Sequence, residues 1–143
     1  MNREEIYRIL PHREPMLLLD TVRIEGDRAI GSYTVRGDEF FLMGHFPGNP
    51  VVPGVMLCEM MAQTSCVLLE QETVQQQGAP VVPYLTGLNN VRFRRRVLPG
   101  DTVVFCCTIL RRMGNFYFAK GTGEVAGQPA VSAEFSFALG AAD

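Results

Sequence analysis

Apolar residues recur along the chain in two rhythms. Between Gly54 and about Gln75 there is neither proline nor further glycine, and Met, Leu, Ala, Glu and Gln dominate. That composition predicts a helix of roughly five or six turns. Through Leu69 its apolar side chains occupy nearly every azimuth, the pattern of a helix enclosed by protein rather than laid on a surface. Elsewhere the period shortens towards two. Met16 to Ile24 and Ala29 to Arg36 are rich in aliphatic and β-branched residues around a Glu25-Gly26-Asp27 turn, which predicts a hairpin. After a polar QETVQQQG linker come four strand-like runs, about Tyr84 to Val97, Thr102 to Arg111, Phe116 to Val125 and Ala130 to Leu139. PGD, MGN and AGQP turns separate them, so they read as an antiparallel meander. Glu4 to Leu10 fits a short helix ending at Pro11, because proline removes a donor and disfavours helix at the residue before it. Between Gly37 and Pro53, glycines 37, 44 and 48 and prolines 47, 50 and 53 predict an irregular loop. A hairpin, a long apolar helix and a meander together predict an α+β domain in which a curved sheet of about five or six strands encloses the helix.

Composition sets the class. The 143 residues are the length of one domain, spanning 1–143, and 47% hydrophobic with 20% charged residues suits a packed globular core. A formal charge of −2 gives no global positive field for a nucleic acid backbone. The most apolar stretch, Val51 to Leu69, contains Pro53, Gly54, Glu59 and Gln63, and a charge at mid-span is costly in lipid. It reads as a buried helix, and no membrane partner is expected. The opening MNREEIYRIL mixes acidic and basic residues without a long apolar run, so it does not read as a secretory signal and a cytoplasmic location is expected. Cys58, Cys66, Cys106 and Cys107 form no CxxC pair and read as core thiols rather than zinc ligands.

Two histidines are present. His12, in LPHREP, is flanked by prolines and charges and reads as structural or exposed. His45 lies in GHFPGNPVVPG, a loop restricted by glycine and proline that can aim an imidazole into a cleft; a loop-stabilising role is the alternative. Glu59 stands among Leu57, Cys58, Met60 and Met61 in the second turn of the apolar helix, where an unpartnered buried carboxylate would cost several kcal/mol. Either it bonds locally, for instance to Gln63 one turn on, or burial raises its proton affinity so that it serves as a general acid with His45 as base. One imidazole, one carboxyl and no nucleotide loop suit removal of a proton next to a carbonyl with loss of a β-hydroxyl. Gly54 opens the helix, and its N–H would polarise that carbonyl; an ordinary loop-to-helix junction is the alternative.

LPHREPMLLLD, EFFLMGHFPGNPVVPGV, MLCEMMAQ and VRFRRRVLPGD resemble, in order, segments of the FabZ-type (3R)-hydroxyacyl-acyl-carrier-protein dehydratases, from about Leu10 to Phe137. The resemblance implies the hot-dog fold, His45 abstracting the α-proton, and Glu59 reaching in from the partner subunit to serve the β-hydroxyl. It also implies that Gly54 N–H polarises the thioester, that Gln63 orients the carboxylate, and that Tyr84 in PYLTGL gates the acyl tunnel. A plain strand aromatic is the alternative for Tyr84. Glutamate rather than aspartate at 59 resembles the FabZ branch, which dehydrates without isomerising. The resemblance further implies no cofactor, an acyl carrier protein as partner, and edge-to-edge dimers that can trimerise to hexamers. Val52 and Cys58 depart from the family's usual residues and bear on the acyl chain accepted; a polyketide or aryl-polyene intermediate is open beside general fatty acid synthesis.

Arg92, Arg94, Arg95 and Arg96 are the strongest charge cluster. In a continuous strand 92, 94 and 96 would share one face, with Val91, Phe93 and Val97 on the other. They suit docking of an acidic carrier protein or its phosphopantetheine phosphate; a solvated outer face is the alternative. Two other functions stay open on sequence alone, a hot-dog acyl thioesterase and a non-catalytic acyl-carrier-binding subunit.

Overall fold

A computed structural model describes residues 1–69 and 81–141. Helix α1 (Arg3–Ile9) is closed by a capping box in which Asn2 and Glu5 satisfy each other's backbone amides. Strands β1 (Thr21–Glu25) and β2 (Arg28–Thr34) form the expected hairpin, with the first strand beginning at Thr21 rather than Met16. The glycine- and proline-rich loop that follows holds one 3₁₀ turn, Phe40–Leu42. Helix α2 (Gly54–Cys66) runs on into a 3₁₀ turn, Val67–Leu69. Strands β3 (Val81–Phe93), β4 (Thr102–Met113), β5 (Phe116–Val125) and β6 (Gln128–Ala141) complete the chain.

All six strands join one antiparallel sheet in the order β1-β2-β4-β5-β6-β3, wrapped about α2 in the hot-dog arrangement. Two expectations need correction. The α-helix stops at Cys66 rather than near Gln75, tightening to 3₁₀ geometry over its last described turn; positions 70–75 of the expected helix lie outside the described residues. The meander is also interrupted. β4, β5 and β6 are consecutive neighbours, but β3 crosses to the far edge and pairs with β6, leaving β4 to pair with β2. Alternation shows that a segment is a strand and not which neighbour it will take.

Burial alternates along β2 and β5 with period two, while α2 is buried on every side from Met60 to Cys66. The helix sits close to the sheet because glycines face it. A Cβ built on Gly31 of β2 would meet Thr64 Oγ1 at 2.5 Å, and one on Gly121 of β5 would meet Cys107 Sγ at 2.8 Å and Met61 Sδ at 3.1 Å. Polar groups inside α2 are satisfied locally: Thr64 donates to the Met60 carbonyl and Ser65 to that of Ala62. Irregularities between Leu85 and Gly87 and between Asn89 and Arg92 bend β3, and Asn90 takes a positive φ of 51° there.

Cys58, Cys66 and Cys107 are buried and Cys106 is partly exposed, all with free thiols. Burial pushes the Cys66 thiol up to about 12, with the Glu59 charge adding to the shift. Among the described residues no helix is long and apolar enough to cross a membrane.

Candidate active site

The loop around His45 is laced by its own backbone. His45 N–H donates to Leu42 O at 3.2 Å, Val51 N–H to His45 O at 2.8 Å, and Phe46 and Asn49 exchange bonds of 2.9 and 2.8 Å. The imidazole stacks on Phe46 with centroids 4.2 Å apart. Its Nδ1 lies 2.8 Å from the Val51 carbonyl oxygen. A carbonyl only accepts, so Nδ1 carries the hydrogen and Nε2 is left with its lone pair. The loop thereby selects the tautomer that can act as a base.

His45 lines a cavity of about 720 Å³ together with Val52, Gly54, Phe93 and the arginines at 94, 95 and 96. Pro53 precedes the helix and offers no side-chain cap to its first amides, the amide-rich end that suits a developing oxyanion. The Phe93 ring closes on Gly54 so tightly that a Cβ there would meet Cζ at 2.6 Å. The arginines differ from expectation. β3 ends at Phe93, so Arg94, Arg95 and Arg96 are not part of an alternating strand face; the backbone turns inward to bury Val97, whose carbonyl takes the Val52 N–H. All three are exposed at the mouth of the His45 cavity, while Arg92 remains on β3 outside it.

Glu59 lies elsewhere. Its side chain keeps 26% exposure and His12 keeps 18%, and both line a small cavity of about 40 Å³ with Ala62, Gln63, Cys66, Pro83, Leu85 and Phe137. Positions 59, 62, 63 and 66 share one helix face. Gln63 is 1% exposed and fully used: Nε2 donates to Glu59 Oε1 at 3.0 Å and Met16 O at 2.7 Å, and Oε1 accepts from Leu18 N–H at 2.9 Å. The local Glu59–Gln63 bond considered from sequence therefore forms. His12 Nε2 stands 3.6 Å from the same Oε1. The two cavities have no lining residue in common, so among the described residues of one protomer His45 and Glu59 line separate cavities.

A family model described as the FabA-like domain matches residues 10–134. The chain belongs to the FabA-like family. Its relatives include the 3-hydroxyacyl-[acyl-carrier-protein] dehydratase FabZ of Syntrophomonas wolfei, 39% identical, the alignment covering 98% of this chain and 96% of that protein. The FabZ of Petrotoga mobilis is 40% identical, with 94% of each chain covered. Among solved structures, the dehydratase heterocomplex ApeI:P from Xenorhabdus doucetiae superposes with a TM-score of 0.80 at 24% identity, covering 94% of this chain and 90% of that one. A putative thioesterase from Ralstonia eutropha superposes at 0.62 with 19% identity over 82% and 83% of the two chains; at these identities the likeness speaks for the hot-dog fold alone.

Tyr84 is half exposed on β3 and lines neither cavity of the protomer, although its neighbours Pro83 and Leu85 line that of Glu59. Two residues escaped the sequence reading. The sequence reads His12 as structural or exposed and places Phe93 on the face away from the arginines. The only sequence signal for His12 is its place in LPHREP, which says nothing about a contact with a helix 47 positions away.

Proposed function

We propose that the protein dehydrates (3R)-3-hydroxyacyl thioesters on acyl carrier protein to trans-2-enoyl thioesters and water, in fatty acid biosynthesis in the cytoplasm, at a site formed by His45 of one protomer and Glu59 of the partner subunit. The observation that carries this reading is the Nδ1 bond of His45 to the Val51 carbonyl, which leaves Nε2 as a base beside the open helix terminus. The FabZ relatives support the substrate class.

The edge strand supports the shared site. Among the described residues β3 has no partner on its outer side and exposes Tyr84, Leu85, Leu88 and Phe93, a template for pairing with a second copy. Pro83 and Leu85 at its start line the Glu59 cavity, and Phe93 at its end lines the His45 cavity. Two copies of β3 pairing antiparallel about a two-fold axis near Leu88 would set the start of each strand against the end of the other. Each His45 cavity would then face the partner's Glu59.

In that dimer His45 Nε2 takes the α-proton, and the charge growing on the thioester oxygen meets the Gly54 N–H. The carbon–carbon double bond forms as the C–O bond breaks, and the Glu59 carboxylic acid protonates the departing hydroxyl to water. Proton return from imidazolium to carboxylate through solvent resets the pair. Gln63 orients the carboxyl, Tyr84 borders the acyl path, and Arg94, Arg95 and Arg96, with Arg92 beside them, receive the acidic carrier.

Incubation with 3-hydroxybutyryl-carrier should give a product lighter by one water with no free thiol. His45→Ala and Glu59→Gln should each lower kcat by at least about a hundredfold. Co-expressed, the two inactive chains should recover about a quarter of wild-type activity, because half the dimers are mixed and each holds one intact pair. Released thiol would identify a thioesterase, and an inert wild type would leave only carrier binding.

A further inference from the structure

His12 belongs to no step of the proposed chemistry, yet its surroundings are built. Gln63 fixes the backbone that follows it, through Met16 O and Leu18 N–H, and Arg13 ties its own turn to the carbonyls of Tyr7, Leu10 and His12. The imidazole is thereby held against Glu59, Nε2 to Oε1, at 3.6 Å. Its other nitrogen, Nδ1, is buried with no hydrogen-bond partner. An orphaned buried acceptor costs less than an orphaned buried N–H, and a lone pair on Nε2 would face the carboxyl's own lone pairs. Both considerations put the hydrogen on Nε2, pointing at Glu59. A contact of 3.6 Å is longer than a hydrogen bond, and catalytic contacts in empty sites commonly tighten when substrate arrives.

Two donors therefore converge on a single carboxyl oxygen: the Gln63 amide at 3.0 Å and the His12 ring. An oxygen that accepts from both is a poor place for a proton. We propose that His12 is a positioning residue for Glu59: with Gln63 it engages Oε1, so that the acidic hydrogen sits on Oε2 and is presented to the leaving hydroxyl. The proposal rests on Glu59 being the general acid and adds to that reading the group that decides which of its oxygens is protonated. Because His12 and Glu59 meet within one protomer, the support acts in cis even though the pair His45 and Glu59 forms across the dimer.

The variants His12→Leu and His12→Gln test it, since glutamine can place an amide N–H near the site of Nε2. His12→Leu should lower kcat about tenfold with KM little changed, because it removes orientation and not substrate contact, while His12→Gln keeps most of kcat. Equal losses in both variants, a loss confined to KM, or wild-type rates in His12→Leu would overturn the proposal. Melting temperatures taken alongside show whether either chain is misfolded. Mixed dimers supply the second arm. Adding His12→Leu to the Glu59→Gln chain should leave recovery with His45→Ala unchanged, whereas adding it to the His45→Ala chain should cut recovery about tenfold. If both additions act alike while the parent mixture recovers, the role of His12 fails and the shared site stands; if the parent mixture recovers nothing, the shared site itself fails, and the comparison of His12→Leu with His12→Gln still decides whether His12 acts.

Discussion

The two ends of β3 border cavities of opposite character. At its C-terminal end the His45 cavity is roomy, roofed by exposed arginines, and shaped mainly by backbone: a hydrogen-bonded loop, a helix terminus and a glycine under an aromatic ring. At its N-terminal end the Glu59 cavity is about 40 Å³, room for a water or a hydroxyl group and not for an acyl chain, and it is shaped by side chains: Gln63, His12 and the apolar wall of α2. The first suits a reactant that must enter and leave attached to a carrier. The second suits a proton donor that must hold still. In the protomer they lie at opposite ends of one strand, and the same strand, paired with a copy of itself, would bring them together.

Breaking that pairing should have the largest effect. Leu88→Asp places two carboxylates opposite each other near the proposed two-fold axis, where like charges are destabilising. We expect monomers by light scattering, an intact far-ultraviolet spectrum and activity down by at least about a hundredfold, since in the proposed shared site each protomer supplies only one of the two proton-transfer groups. A monomer with wild-type turnover would place both catalytic groups within one chain.

Next in size is a test of the mouth of the larger cavity. Arg94→Glu with Arg96→Glu reverses charge at exposed positions and should raise KM for carrier-bound substrate about tenfold or more, while a small thioester mimic is turned over nearly as before. Equal loss on both substrates would count against carrier docking. The same pair of variants in Glu59→Gln, read by carrier binding alone, separates docking from chemistry.

Packing between helix and sheet gives a smaller effect. Gly31→Ala drives a Cβ to within 2.5 Å of Thr64 Oγ1, whose rotamer is already committed to the Met60 carbonyl. Over-packing of this kind costs about 1–3 kcal/mol, seen as a lower denaturant midpoint. Gly54→Ala also creates a clash, but against the Phe93 ring, which is half exposed and able to swing. It should leave stability nearly untouched and lower kcat, because the displaced ring sits in the His45 cavity. The contrast separates a glycine needed for the core from one needed for the site.

The large cavity was more legible in the sequence than the small one, for a physical reason. Glycine and proline spacing announces a restrained loop, and the absence of both announces α2, so His45, Gly54 and the helix carrying Glu59 could be placed from local rules. The 3.6-residue repeat also gave the Glu59–Gln63 bond. The place of β3 at the sheet edge was not legible, because apolar alternation in Tyr84 to Phe93 fits any neighbour. The arginines misled because Phe93 and Val97 share a parity in sequence, although the strand ends between them. His12 was invisible because its partner arrives through Gln63, which joins residues 45 and 47 positions apart.

His12 also supplies the finest test of the small cavity, through stability rather than rate. Burial holds its imidazole below the ordinary histidine range, with Glu59 pulling the other way and Arg13 adding to the lowering. A depressed value in the folded state means that the unfolded chain binds the proton first as pH falls. Its contribution is therefore fully present above the unfolded value of about 6.5 and is lost progressively below it. The carboxylates act lower: Glu14, bonded by Tyr7, and Glu25, bonded by Arg23, titrate beneath the ordinary carboxylate range, so the interval from about pH 6.5 to 5 belongs mainly to histidine. Across that interval the wild-type melting temperature should fall and that of His12→Gln should fall less, with the two curves parallel above pH 7. Parallel curves throughout would mean that the imidazole charges without penalty, and that the cavity around Glu59 is open to water in the folded chain.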